Sequence, residues 1–456
     1  MKHSTLRVWL LGLCAWLAQA AHAANPIIQT IYSADPAPMV RDGRVYLYVG
    51  HDEGDKKFFD MRDWRVFSSS DMVNWTDHGA RLSLTDFAWA KKHAWAGHTI
   101  ERDGKFYWYV PVEQASGGMA IGVAVGPTPL GPFKDALGKP LVFDKQGDID
   151  PAAYIDDDGQ AYLVWGNPTY KWVKLNRDMV SYDTTVGDHG IFRHEMTVEA
   201  FGKRAKPDRA TAYEEAPWIY KRGKLYYLFH AGGPLPEHLA YSTGPSATGP
   251  WTYRGVVMKA QGGSFTNHPG VIDFQGKTYL FYHDGSLPGG GGFSRSVCVD
   301  ELHFNPDGSI VPLDMTRTGP APAAHLNPYA RVEGETMAWS IGLQTAQFAG
   351  GIAVTDVNAG EYLQLRSVDF GAKPARQFSA QLRVPGTQPR GVAIELRLDA
   401  LDGPVIGRLA TTPTGDAWQS FKTAVKAVTG VHDLFLVFRG EGTEPLLELD
   451  HWQFQR

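Results

Sequence analysis

Cysteine is almost absent from this 456-residue chain: only Cys14 and Cys298 occur. Cys14 lies in an N-terminal stretch with a positive start at Lys2 and Arg7, an apolar run from Val8 to Ala18, and small residues in Ala21-His22-Ala23. That pattern predicts a cleaved export signal over residues 1–23. Leu13 stands before Cys14 where a lipid-accepting cysteine needs a small residue, which argues against lipidation. Cleavage leaves Cys298 alone, so no intrachain disulfide can form. Long apolar runs are missing too. Val8 to Ala18 is well short of the ~20 residues that span a bilayer, so no membrane association is expected after signal removal. The chain also lacks any excess of positive charge. The formal net charge is −5, and loss of Lys2 and Arg7 takes it to −7. Such a chain gains little from phosphate backbones, which makes nucleic acid a poor partner. The expected location is periplasmic or secreted.

Aromatic residues, in contrast, are plentiful, with 14 tryptophans and 19 tyrosines. Most belong in sheet cores, but flat rings with polar edges also suit the faces of sugars. Many of them fall in a repeat. Five segments share one pattern: ADPAPMVRDGRVYLY, WAGHTIERDGKFYWY, IDPAAYIDDDGQAYLVW, EEAPWIYKRGKLYYLF and NHPGVIDFQGKTYLFY. Each places an aromatic strand behind a glycine turn. Aligned on Gly43, Gly104, Gly159, Gly223 and Gly276, the residues eight or nine places upstream are Asp35, Ala96, Asp150, Glu215 and His268.

The glycine spacings of 61, 55, 64 and 53 residues leave room for about four strands per unit. Five such units predict a five-bladed β-propeller, and a β-sandwich would not explain five matches in register. Around an axis, the equivalent positions would meet at one place. The proline- and alanine-rich stretch 316–328 reads as a linker. Residues 329–456 contain no further repeat, and their alternating short strands predict a jelly-roll-like β-sandwich, making the whole chain all-β.

Three carboxylates near one axis would repel one another and raise each other's pKa values, an arrangement that needs a cation or a reaction to justify it. Catalysis is the expectation, and a non-catalytic sugar-binding propeller is the alternative from another class.

At these positions the chain resembles glycoside hydrolase family 43, whose members are five-bladed propellers that cleave arabinose- or xylose-containing polysaccharides. The resemblance covers residues 25–315 and rests on ADPAP at Asp35, IDPAAYIDDDGQAYLVWG at Asp150, EEAPWIYKRGKLYYL at Glu215 and NHPGVIDFQGKTYLFYH at His268. It implies inversion by one displacement with water. Asp35 would be the general base, Glu215 the general acid, and Asp150 the residue that tunes and orients the acid. An inverting pair needs its carboxyls ~6.5 to 9.5 Å apart to admit water, a gap that opposite sides of a propeller axis can supply. Glu214 is expected to point away as a structural carboxylate, because Glu215 has the repeat offset and precedes Ala216-Pro217. His268 reads either as a structural histidine or, by the resemblance, as an axial residue touching water or a bound cation. Arg295, after Gly289–Gly292, resembles the arginine that approaches the base, and Trp95 is a candidate wall of the sugar pocket. Ala34-Asp35-Pro36-Ala37 differs from the Asn-Asp-Pro-Asn start of related retaining enzymes, which disfavours a covalent nucleophile.

Residues 329–456 resemble a family 6 carbohydrate-binding module through Val332-Glu333-Gly334-Glu335, Asn358 to Leu363, Gly415 to Gln419 and Leu449 to Phe454. The resemblance implies a structural calcium held by Glu333, Glu335 and Asp450, whose hard oxygens suit that ion. Asp356 stands where a sugar-sandwiching aromatic is expected, leaving Trp418 as the candidate stacking ring. The combined expectation is an exported inverting hydrolase without a catalytic cofactor. Its partner would be a plant cell-wall polysaccharide or oligosaccharide, most simply arabinoxylan cleaved by an α-L-arabinofuranosidase. A β-xylosidase acting on xylo-oligosaccharides, or an arabinan-cleaving enzyme, is the near alternative.

Overall fold

The structure is a computed structural model that describes residues 24–54, 57–386, 391–442 and 444–456. The expected export signal, residues 1–23, lies outside the described residues. Two compact units are present. One joins Ile31–Ser69 to Asp77–Met315, and the other groups Thr316–Arg456 with Ser70–Thr76 and the described residues before Ile31.

The first unit is built from antiparallel sheets that follow the repeats. Blade I takes its strands from Ser33–Arg41, Arg44–Asp52, Met61–Ser69 and Trp75–Ser83. The main strands of blade II are His98–Arg102, Lys105–Gln114, Met119–Gly126 and Lys134–Asp135. Blade III uses Ala152–Ile155, Ala161–Trp165, Lys171–Leu175 and Phe192–Arg193, and blade IV uses Tyr213–Arg222, Leu225–Gly232, His238–Gly244 and Thr252–Met258. Blade V departs from the four-strand expectation, since Gly270–Phe274, Lys277–Asp284 and Ser296–Leu302 make a three-stranded sheet.

The glycine turns explain the hairpins. Arg41 pairs with Arg44 around Asp42-Gly43, both with positive φ, and Asp103-Gly104 and Gln275-Gly276 repeat that geometry. These are the two-residue turns whose twist matches paired strands. The innermost strands then close a ring. Ser33–Arg41 touches His98–Arg102, which touches Ala152–Ile155; that strand meets Tyr213–Arg222, which meets Gly270–Phe274, and this last strand returns to Ser33–Arg41. A closed ring of five first strands defines the propeller axis. Between the blades lie buried rings such as Trp64, Trp108, Tyr227 and Tyr282.

The second unit is a β-sandwich. One sheet orders Gln344–Phe348, Gly351–Thr355, Glu448–Gln455, Ala375–Arg383 and Gln419–Val428; the other orders Trp339–Ile341, Tyr362–Asp369, Val431–Arg439, Ala393–Leu398 and Val405–Ala410. Alternation along these strands sends Phe378, Leu382, Leu396, Leu436, Trp452 and Phe454 into one core.

Candidate active site

A cavity of about 420 Å³ receives a side chain from the first-strand region of all five blades: Asp35, Trp95 and Ala96, Asp150, Glu215, and His268. The repeat position therefore lines one space. The backbone that delivers these residues is unusual. Asp35 has φ 54° and Asp150 φ 57°, both in the left-handed region that non-glycine residues avoid, and both precede proline. In blade IV that conformation falls on Ala216, φ 56°, rather than on Glu215. The strand registers agree: blade I slips between Ala34 and Ala37, and blade IV slips between Glu215 and Trp218. Glu215 thus stays on the ladder, paired with Ala231 just before the slip, whereas Asp35 lies inside the slip of its own blade. Strain of this kind persists only where surrounding structure holds it, typically at functional sites.

Asp35 is 6% exposed, and its Oδ1 accepts from Nη1 of Arg295 at 2.8 Å. Arg295 is itself clamped, donating from Nε to Oδ2 and from Nη2 to Oδ1 of the buried Asp52, both at 2.9 Å. Burial works against its charge, but Asp35 and Asp52 outweigh that and raise its pKa. The amide of Asp35 donates to Nδ1 of His283, whose ring is buried. Burial lifts Asp35 to about 6, with Arg295 restraining the rise.

Across the cavity, Oε2 of Glu215 accepts from the Asn167 side-chain amide at 2.7 Å, and Oδ2 of Asp150 accepts from the backbone of Ala216 at 3.0 Å. Burial lifts Glu215 to about 7; the Asn167 bond opposes the rise, while Asp35 and Glu214 add to it. Burial, then the charges of Glu215 and Asp35, push Asp150 well above the ordinary carboxylate range. Glu214 reaches the cavity wall, but its carboxylate is engaged by Arg204 and Arg209.

Trp95 lines the cavity beside Phe58 and Phe59, donates from its indole to the carbonyl of Phe59 at 3.0 Å, and stacks on His93 at 4.8 Å. His268 is 8% exposed, and burial lowers its pKa to about 3, so it is a neutral imidazole.

Sequence reading did not single out Asp52, Asn167, Thr266 or Glu237. Glu237 is a further buried carboxylate on the cavity; its Oε2 accepts from the Asn267 amide at 2.8 Å, and burial with the Glu215 charge pushes its pKa well up. Asp52, Asn167, Glu237 and Arg295 share a signal nonetheless. Each lies at the junction between the second and third strands of its blade. These junctions range from 5 to 11 residues, so no fixed offset reveals them.

The expected calcium ligands do not fit a cation cage. Glu333 and Asp450 share the Arg331 guanidinium, at 2.8 and 3.2 Å, and the second oxygen of Asp450 bonds His451. A guanidinium already supplies the positive charge that a metal would bring. Among the described residues, the trio with ligand atoms converging within 4.8 Å is His51, Glu53 and Asp63, which includes neither these carboxylates nor His268.

Comparison with known proteins places this geometry. The family model for glycosyl hydrolases family 43 matches residues 23–310, and that for carbohydrate binding module family 6 matches residues 333–456. An arabinoxylan arabinofuranohydrolase of Bacillus subtilis (strain 168) is 33% identical over 94% of this chain and 92% of its own. A xylosidase/arabinosidase 43A of Humicola insolens is 33% identical over 63% of this chain and 98% of its own. Among solved structures, a Bacillus subtilis family 43 arabinoxylan arabinofuranohydrolase in complex with cellotetraose aligns with a TM-score of 0.80 at 30% identity, covering 95% of this chain and 98% of that one. A β-xylosidase/α-arabinofuranosidase from a compost metagenome, with xylotriose and in a calcium-free form, aligns with a TM-score of 0.57 at 31% identity over 64% of this chain and 97% of that one.

Proposed function

This chain belongs to family 43 of the glycosyl hydrolases, and from that premise we propose that it is an exported enzyme that removes α-L-arabinofuranosyl groups from arabinoxylan by a single inverting displacement. The observation that carries the reading is the asymmetry of the cavity's carboxyls. Asp35 is bound to an arginine, which favours its ionised form, whereas Glu215 is buried beside Asp150 and is held protonated up to about 7.

Asp35 takes a proton from water as the water attacks the anomeric carbon. Glu215 gives its proton to the departing glycosidic oxygen. Asp150 raises the proton affinity of Glu215 by like charge and, through the Ala216 amide, steadies the backbone that carries it. Arg295 keeps Asp35 ionised and fixes its direction. Trp95 offers its face to the sugar ring, and neutral His268 completes the wall.

The choice of arabinose over xylose rests on the near full-length likeness to arabinoxylan arabinofuranohydrolases, which extends through the second unit. A β-xylosidase is the second reading, because xylosidase/arabinosidases match the catalytic unit. A panel of p-nitrophenyl α-L-arabinofuranoside, p-nitrophenyl β-D-xyloside and arabinoxylan separates the two. Hydrolysis of the xyloside alone overturns the arabinose reading, and NMR of the first-formed anomer tests inversion.

A further inference from the structure

Behind the acid side of the cavity lies an ion pair with no access to water. Lys171, the first residue of the third strand of blade III, is fully buried, and so is Asp148. Nζ of Lys171 lies 3.0 Å from Oδ1 of Asp148 and 3.0 Å from Oδ2 of Asp144, and it donates to the carbonyl of Gln146. The Trp165 indole donates to the same Oδ1 of Asp148 at 2.9 Å, and the Asp144 amide donates to its Oδ2 at 2.5 Å. The chain from Asp144 to Asp148 is thus wound around one ammonium. A dry pair of this kind is a poor stabiliser, because desolvation consumes most of the attraction and apolar residues of the same volume do as well. What it supplies here is a fixed geometry.

That geometry is passed to the site through the backbone. The carbonyl of Gly147 accepts from the Asn167 amide at 3.2 Å, and the carbonyl of Ile149 accepts from the Gly166 amide at 3.0 Å. Gly147 has φ 60°, and a Cβ on it would stand 1.8 Å from the Asn167 carbonyl oxygen, so the two backbones run in contact. Gly147, Ile149 and Asn167 line the cavity, and the Asn167 side chain ends on Oε2 of Glu215 at 2.7 Å. Lys171 has no exposed surface and cannot touch substrate.

We propose that Lys171 is a positioning residue for the general acid: the buried Lys171–Asp148 pair sets the backbone at Gly147, which sets Asn167, which aims the Glu215 carboxyl at the departing glycosidic oxygen. The inference rests on the assignment of Glu215 as acid given above. Asp150 keeps its own tie to the Ala216 amide, and Asp35, Trp95 and Arg295 stand on other blades, so the effect is confined to the acid. Its sign follows from the Asn167 bond. That bond favours the ionised carboxyl, so releasing it lets Glu215 hold its proton to higher pH.

The test compares wild type with Lys171→Met, Asn167→Ala and the two combined, on arabinoxylan and on p-nitrophenyl α-L-arabinofuranoside. Lys171→Met strands buried carboxylates. Lys171→Met/Asp148→Asn is therefore carried alongside, since it removes both charges and keeps an oxygen for Trp165; circular dichroism and melting temperature verify folding. A sugar alkoxide needs the acid's proton to leave, whereas nitrophenolate hardly does. In the Lys171 variants kcat on arabinoxylan should fall about tenfold further than on the aryl glycoside, with KM unchanged. The alkaline limb should move to higher pH, and adding Asn167→Ala to either Lys171 variant should cost nothing more. Equal losses on both substrates with an unmoved limb, or losses that multiply, overturn the proposal. If wild type cleaves neither substrate, or Glu215→Gln retains full activity on arabinoxylan, the acid assignment fails instead. Carbon-13 NMR titration of the Glu215 carboxyl then decides the positioning: a midpoint raised in the Lys171 variants supports it, and an unmoved midpoint overturns it.

Discussion

Asp150 accepts the backbone N–H of Ala216 at 3.0 Å, which holds its charge beside the strand residue that follows Glu215. The bond spans 66 residues of sequence and joins blades III and IV. Removing the charge while keeping the shape should therefore lower the proton affinity of Glu215. In Asp150→Asn, the alkaline limb of the kcat/KM profile should move to lower pH and kcat should fall. An unmoved limb would show that Asp150 acts on something other than the acid.

The wild-type profile itself follows from two directions of shift. Asp35 must be ionised to act as base, so activity rises as pH passes about 6. Glu215 must be protonated to act as acid, so activity falls as pH passes about 7. A narrow bell between these limbs is expected in kcat/KM, which reports the free enzyme. A plateau extending to pH 9 would contradict the assignment of Glu215.

Arg295 neutralises two buried carboxylates at once, so Arg295→Met leaves both Asp35 and Asp52 unpaired. Breaking a buried pair from one side costs about 3–5 kcal/mol, and urea unfolding should show a loss of that order. The remaining activity should have its acid limb displaced above 6, because Asp35 loses the charge that favours ionisation. Arg295→Lys should restore little, since lysine cannot reproduce the three-way fork.

Glu237 holds the segment that carries Thr266 and His268. Its Oε2 takes the Asn267 amide, while Oδ1 of Asn267 accepts from the amides of His268 and His283. Glu237→Ala leaves a buried N–H without its partner, a loss of about 1–3 kcal/mol. Glu237→Gln retains an acceptor oxygen and should recover most of that stability. If both variants lose equally in thermal unfolding, the carboxylate charge matters rather than the hydrogen bond.

In the second unit, the Arg331 guanidinium already balances Glu333 and Asp450. Calcium and chelator should therefore leave the melting temperature of the protein unchanged. A rise with millimolar calcium would show that the ion displaces Arg331, and Arg331→Gln should then strengthen the effect.

The repeat was legible because its causes are local. A two-residue turn needs positive φ, so Asp42-Gly43, Asp103-Gly104 and Gln275-Gly276 mark hairpins from composition alone. Strand alternation then counts back from each turn to a residue near the axis, and Asp35, Asp150, Glu215 and His268 reach one cavity on that count. The count could not reveal that Glu215 stays on its ladder one residue before the position equivalent to Asp35, because Gly223 is the first residue of its turn whereas Gly43 is the second, so a count taken from the glycine lands one residue early. Nor could it find Asn167, Asp52 and Glu237. They lie on junctions of unequal length, and only closure of the five blades brings those junctions over the same cavity. Local backbone preference thus specifies which residues face the axis. Which of them gains a proton or an arginine depends on neighbours up to 260 residues away, through burial and charge that no stretch of sequence contains.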